Sequence, residues 1–188
     1  AYALEYSGKA AVTSVLRSDY SKVVDKGFVI DSCDYGHVEG FRTTHVVNSI
    51  EKAKFSGPFG YIVVTTKNIP DITDITEIIA PVVSPDSTIV LIQNGIGIER
   101  DFFKKFPKNV VLSGVSLIQS INRNAYVEHT TQDILKLGYF NNPGLSEDLQ
   151  ESSCRKFIEL YNNENVDCEY DNDVKFSRWR KLVYNACL

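Results

Sequence analysis

Three runs of uninterrupted strand-forming residues constrain this chain more than any other feature: YIVVTT from Tyr61 to Thr66, TIVLI from Thr88 to Ile92, and VVLSGV from Val110 to Val115. A strand with one wet face alternates apolar and polar residues. These runs do not alternate, so each is expected to be covered on both faces. Between them lie segments with apolar residues at helical spacing. Ile72 to Val83 carries Ile72, Ile75, Ile78, Ile79 and Val82, preceded by Pro70-Asp71, and Ile98 to Phe106 follows the second run. Strand, helix, strand, helix, strand is the pattern of a parallel sheet with helices on both faces. The expected fold is α/β, a doubly wound and mostly parallel sheet. Ligands of such sheets gather at the C-terminal ends of the strands.

The rest of the chain fits around that frame. Residues 1–7 read as the tail of a helix stopped by Gly8, and Ala10 to Leu16 as a strand ending at Arg17. Ser18 to Gly27 reads as a short capped helix. Phe28 to Ile30 and Gly40 to Val47 look like short strands, and Ser116 to Gly138 alternates like antiparallel strands. Ser146 to Tyr161 is an expected helix opened by Ser146-Glu-Asp, Asp167 to Tyr170 a brief strand, and Phe176 to Leu188 the start of another helix.

Bulk properties exclude several classes. The 188 residues are 43% hydrophobic and 23% charged, which suits a soluble domain with a sizeable core, or one domain and part of another. A net charge of -4 makes the surface no general lure for nucleic acid. The apolar runs fall far short of the ~20 residues of a membrane span, so no membrane partner is expected. Cys33, Cys154, Cys168 and Cys187 are scattered, form no C-x-x-C pair and are accompanied by no cluster of histidine ligands, so no metal is expected. They read as reduced thiols of a cytoplasmic protein. The chain contains no Met, even at its start, and ends within a helical pattern, so it reads as a piece of a longer polypeptide.

Four strand-end or helix positions carry the functional reading. Arg17 ends V-L-R, where an acid would select NAD and an arginine would accommodate the 2′-phosphate of NADP. Taken alone, Arg17 reads more readily as a surface arginine. Lys67 ends V-V-T-T-K and could meet phosphate, or simply water. The third is Gln93-Asn94-Gly95-Ile96-Gly97, where glycines permit a tight turn and Asn94 can bind. Gln93 reads as structural. The fourth is Arg178-Trp179-Arg180-Lys181-Leu182-Val183-Tyr184-Asn185. Lys181 and Asn185 share a helical face, while Leu182, Val183, Ala186 and Leu188 suggest a substantially buried segment. A buried lysine costs free energy unless paired or working. A lysine whose stem packs while its ammonium reaches water stands as an even alternative.

Together V-L-R, V-V-T-T-K, L-I-Q-N-G-I-G and W-R-K-L-V-Y-N-A-C, in that order, resemble the ketopantoate reductase (2-dehydropantoate 2-reductase) family over essentially the whole chain. His129-Thr-Thr131 also resembles the family's stretch there. The resemblance implies a Rossmann-like NADP-binding domain over residues 1–172, with residues 173–188 starting an all-helical second domain. It implies that the first strand, with its G-x-G-x-x-G loop, precedes Ala1. Lys181 matches the catalytic proton donor, and Asn185 a substrate-binding asparagine. Asn94 matches the asparagine that touches cofactor and substrate. Arg17 matches the reader of the 2′-phosphate, Lys67 a cofactor-side lysine, and Ser120 a small residue lining the nicotinamide pocket.

The implied activity is NADPH-dependent reduction of a small 2-keto acid, 2-dehydropantoate, to pantoate in pantothenate biosynthesis. Lys181 would act as general acid, and NADP(H) would be the cofactor. The family often forms homodimers, although this sequence shows no interface. A reductase of another keto acid, a non-catalytic NADP-binding regulator and a purely structural α/β domain are the competing readings. The last requires Asn94 and Lys181 to lie far apart.

Overall fold

The structure is a computed structural model and describes residues 1–69 and 71–187. Pro70 and Leu188, which figured in the expected helices, lie outside the described residues.

In chain order, helix α1 (Tyr2–Tyr6) runs to Ser7 and Gly8, whose φ of 67° ends it. Strand β1 (Thr13–Val15) precedes α2 (Tyr20–Lys26), which stops at Gly27, φ 78°. Strands β2 (Phe28–Ser32), β3 (Gly36–Phe41) and β4 (His45–Val47) follow. Next comes α3 (Ile50–Ala53), a single turn that the sequence reading omitted, started by the Ser49 hydroxyl accepting from the Lys52 N–H. The central alternation is β5 (Tyr61–Val64), α4 (Ile75–Ile79), β6 (Thr88–Leu91), α5 (Arg100–Lys105) and β7 (Val111–Ser116). Strands β8 (Gln119–Arg123), β9 (Tyr126–Thr131) and β10 (Ile134–Tyr139) come next. Helix α6 (Glu147–Tyr161), strand β11 (Asp167–Tyr170) and helix α7 (Val174–Cys187) complete the chain.

Local chemistry sets several of these limits. Helix α4 is shorter than its apolar spacing predicted. Asp74 caps it by accepting from the N–H groups of Thr76 and Glu77, and Pro81 turns its end into a 3-10 segment, Ala80–Val82. Helix α7 begins earlier than expected, because the Asp173 carboxylate accepts from the Phe176 N–H at 3.2 Å. Among the described residues, no helix is long and apolar enough to cross a membrane.

The chain divides into two compact units. The first comprises Ala1–Gly57, Leu117–Ile134 and Glu159–Cys168. Within it, β1 and β4 pair in parallel, and β3-β2-β9-β8 form a four-stranded sheet. In that sheet β2 runs parallel to β9, and the other two pairings are antiparallel. The β8–β9 hairpin turns through Asn124 and Ala125, both at positive φ. Tyr2 packs edge-on against Tyr35 and Phe41, with ring centroids 4.8 Å apart in both pairs.

The second unit comprises Pro58–Ser116, Leu135–Ile158 and Glu169–Leu188. Its sheet has the order β11-β10-β7-β6-β5. Strands β5, β6 and β7 are parallel, and β10 returns antiparallel to β7. Ile89, Val90 and Leu91 are fully buried, so β6 is covered on both faces as its sequence required. On one face Ile89, Leu91 and Val111 pack with Ile79 of α4 and with Ile98 and Phe102. On the other, α6 lies close enough for Tyr61 to stack edge-on against Phe157, centroids 5.2 Å apart. The expected α/β doubly wound, mostly parallel arrangement is therefore found, although the strands are shared among three sheets.

Gly138 fixes where α7 can start. A Cβ there would stand 2.5 Å from the Asp171 carbonyl oxygen and 2.8 Å from Val174, so only glycine allows this approach.

Candidate active site

The site forms where β6 and β7 end. Beyond Leu91 the chain turns through Gly95 and Gly97, with φ of 120° and 72°, a region that favours glycine. Gln93 is buried, and its amide donates to the Thr66 carbonyl at 2.8 Å. It ties the turn to the end of β5, the structural role its sequence suggested. Asn94, the next residue, is exposed.

Helix α7 closes one side of the turn through Arg178, which is only 6% exposed. Its Nε donates to the Ser113 Oγ at 2.6 Å. One terminal nitrogen donates to the carbonyls of Gln93 at 2.8 Å and Gly95 at 3.1 Å. The other donates to Leu91 at 2.9 Å and Gly114 at 3.2 Å. Every N–H of the guanidinium thus has an acceptor. Its centre also lies 5.0 Å from the Phe140 ring centroid. Burial lowers the Arg178 pKa to about 10, against a smaller opposing pull from Glu99.

One turn further on, the Lys181 ammonium donates to the Ser116 carbonyl at 2.5 Å. Its pKa is lowered, first by desolvation and then by repulsion from Arg178. Asn94, Gly95, Gly114, Arg178, Lys181 and Asn185 line a single cleft here. Asn94, Lys181 and Asn185 are therefore brought together, against the reading of a purely structural domain. The cleft is lined by a partly buried ammonium and two neutral amides.

Other expected residues lie elsewhere. Lys67 is exposed just beyond β5 and does not line the cleft. Arg17 and Ser120 are exposed residues of the first unit.

One expectation needs correction. The apolar residues around Lys181 do not bury this stretch of helix: Leu182, Val183 and Tyr184 are 38%, 60% and 67% exposed. Helical spacing gave an apolar face, but the described residues do not cover it. Arg178 itself was missed as a functional candidate. Its signal in the sequence was its place three residues before Lys181, on the same helical face.

The cysteines also differ from expectation in one respect. All are free, but Cys33, 96 residues from His129 in sequence, lies near it in space. Donor atoms of Cys33, Asp34 and His129 fall within 4.8 Å of one another. The His129 Nε2 lies 2.5 Å from the Thr131 carbonyl, so it carries the proton. Its Nδ1 accepts from the Ser32 hydroxyl at 2.7 Å. Both ring nitrogens are thereby engaged, and the group reads as a satisfied structural histidine rather than a ligand.

Comparison with known proteins bears on the chemistry. The family model described as Ketopantoate reductase PanE/ApbA matches residues 1–142. An uncharacterised protein of Saccharomyces cerevisiae is 38% identical over 198 residues, covering 94% of this chain and 55% of the relative. A 2-dehydropantoate 2-reductase of Nostoc is 25% identical over 176 residues, covering 91% of this chain and 52% of the relative. The crystal structure of 2-dehydropantoate 2-reductase from Methylococcus capsulatus superposes with a TM-score of 0.78 at 31% identity, over 98% of this chain and 56% of that one. The chain spans about half the length of these two curated relatives.

Proposed function

The chain belongs to the ketopantoate reductase PanE/ApbA family, and on that premise we propose that it serves the NADPH-dependent reduction of 2-dehydropantoate to pantoate, a step of pantothenate biosynthesis. The observation that carries this reading is the single cleft lined by Asn94, Lys181 and Asn185. Its place at the C-terminal ends of parallel strands is where such sheets bind ligands.

The residues present suit a dinucleotide. Arg17 follows β1 as an exposed cation at the strand tip, with the next carboxylate two residues on at Asp19, and would hold the 2′-phosphate. Lys67 would meet a phosphate or ribose on the cofactor side, Asn94 would touch both cofactor and substrate, and Ser120 would line the nicotinamide pocket. Bound NADPH would supply the hydride.

The protein's own part is acid catalysis and orientation. Negative charge grows on the keto oxygen during reduction, and Lys181 would deliver a proton to it. Desolvation, with Arg178 behind it, lowers the Lys181 pKa and makes that proton easier to release. Asn94 and Asn185 would orient the keto acid as neutral groups that do not compete for the proton.

In this reading residues 1–172 are the NADP-binding domain, and residues 173–188 open a helical second domain. The exposed apolar side chains of Leu182, Val183 and Tyr184 support a further covering layer. The free thiols support a cytoplasmic setting.

The test is an assay of the full-length protein with 2-dehydropantoate and a panel of other 2-keto acids, using NADPH and NADH separately. Turnover of 2-dehydropantoate with NADPH preferred is the expected result. Turnover confined to another keto acid would replace the substrate. Binding of NADPH without any turnover would favour a regulator.

A further inference from the structure

We propose that Arg178 is a positioning residue for the reaction, holding the turn that presents Asn94 in register with the helix that presents Lys181. This rests on the reading of Asn94 and Lys181 given above.

The geometry is specific to Asn94. The two carbonyls gripped by one guanidinium nitrogen belong to Gln93 and Gly95, the residues on either side of it. The other nitrogens hold the two strands beneath, through Leu91 at the end of β6 and through Ser113 and Gly114 in the middle of β7. Helix α7 meets β7 again through Lys181 and the Ser116 carbonyl. A single side chain thus joins the Asn94 turn, the strands β6 and β7 and the helix of the proton donor.

Adhesion alone does not account for an arginine here. No carboxylate hydrogen-bonds to the guanidinium among the described contacts, and burying a charge is costly. An apolar side chain of similar volume can fix a helix to a sheet as well as a buried ion does. What it cannot do is grip the carbonyls on both sides of one residue. A planar fork with donors in fixed directions can.

The test uses the full-length protein with Arg178→Lys, Asn94→Ala and the double variant. Arg178→Lys keeps a cation but loses the fork. It is expected to lower kcat about 100-fold, the cost of a small misplacement, with a smaller weakening of NADPH binding because Asn94 would also touch the cofactor. The double variant should lose no more than the worse single one, because both act through Asn94. Losses that multiply would overturn the proposal.

A second readout does not depend on turnover. Amide exchange across Gln93–Gly97 should quicken about tenfold in Arg178→Lys, while β7 keeps its protection. Unchanged exchange there overturns the proposal even if kcat falls. Should the wild type reduce no 2-keto acid, the functional reading fails, and exchange still decides whether Arg178 holds the turn. If Arg178→Lys does not fold, Ser113→Ala carries the test, since it removes one acceptor and keeps the cation. Faster exchange at Gln93–Gly97 supports the proposal, and unchanged exchange overturns it.

Discussion

Arg178 and Lys181 stand three residues apart on one face of α7, and Lys181 releases its proton more readily than an ordinary lysine. Half-burial is the main cause, and repulsion from Arg178 adds to it. Burial also lowers the Arg178 pKa, to about 10. The pair places two cations beside a cleft in which a keto oxygen would gain negative charge.

Lys181 should set the alkaline limit of activity. A general acid must be protonated, and the surroundings of Lys181 disfavour its charged form. Activity is therefore retained below its lowered pKa and lost as pH rises through it. The alkaline limb of kcat/KM is expected below the ordinary lysine value of about 10.4. A limb at or above that value would remove Lys181 from the role.

Replacing Lys181 with Ala should lower kcat by about 100-fold or more, the usual range for losing a positioned proton donor. NADPH binding, read by fluorescence titration, should stay nearly unchanged. Unaltered turnover would sink the assignment.

Arg17→Asp should reverse the nucleotide preference. The carboxylate would repel a 2′-phosphate and could accept from a ribose hydroxyl. KM for NADPH is expected to rise about tenfold or more, the scale of one lost charged contact, with KM for NADH steady or lower. Equal effects on both nucleotides would show that Arg17 does not read the phosphate.

Gly138→Ala should loosen the start of α7. The new methyl would meet the Asp171 carbonyl at 2.5 Å and Val174 at 2.8 Å, and neither can retreat without moving the helix. A loss of about 1–3 kcal/mol is expected in urea unfolding, as for an overpacked core. Because α7 carries Lys181, kcat should fall too. A fully stable and active variant would mean that the helix start can move freely.

Asp133→Asn should stabilise the protein near neutral pH. Desolvation raises the Asp133 pKa, against the Tyr161 hydroxyl, which donates to it at 2.5 Å. For an acid raised on folding, the unfolded state ionises first. Stability is therefore undiminished below the ordinary carboxylate range and falls as pH rises through the raised pKa. The amide removes that loss, so Tm should gain more at pH 7 than at pH 4. An equal change at both pH values would mean that Asp133 ionisation has no part in stability.

Local patterns were the most legible part of the fold. Asp167–Tyr170 is a strand over the expected residues, and the apolar runs became β5, β6 and β7, of which β6 and β7 are buried as expected while Val63 of β5 is 37% exposed because β5 stands at the sheet edge. Pairing at long range was less legible. Nothing local indicates that β2 pairs in parallel with β9, placing Val29 opposite Tyr126. The helix at Ile50–Ala53 was too short to show a period.

In the candidate site, the sequence could single out Lys181, Asn185 and Asn94, which line one cleft, because their proposed roles rest on side-chain chemistry. Arg178 was not, since four of its five acceptors are backbone carbonyls, and every residue has one. The exposed Leu182 and Val183 show the converse limit. A period defines an apolar face but not what lies against it.

Because each N–H of Arg178 already meets an acceptor of its own chain, the guanidinium has no hand left for a ligand. It can draw an anion toward the cleft, but it cannot tell one carboxylate from another or fix how it lies. Attraction and discrimination therefore fall to different residues. In the proposed reaction the buried cation would supply long-range pull, and the choice of acid would fall to groups with donors still open.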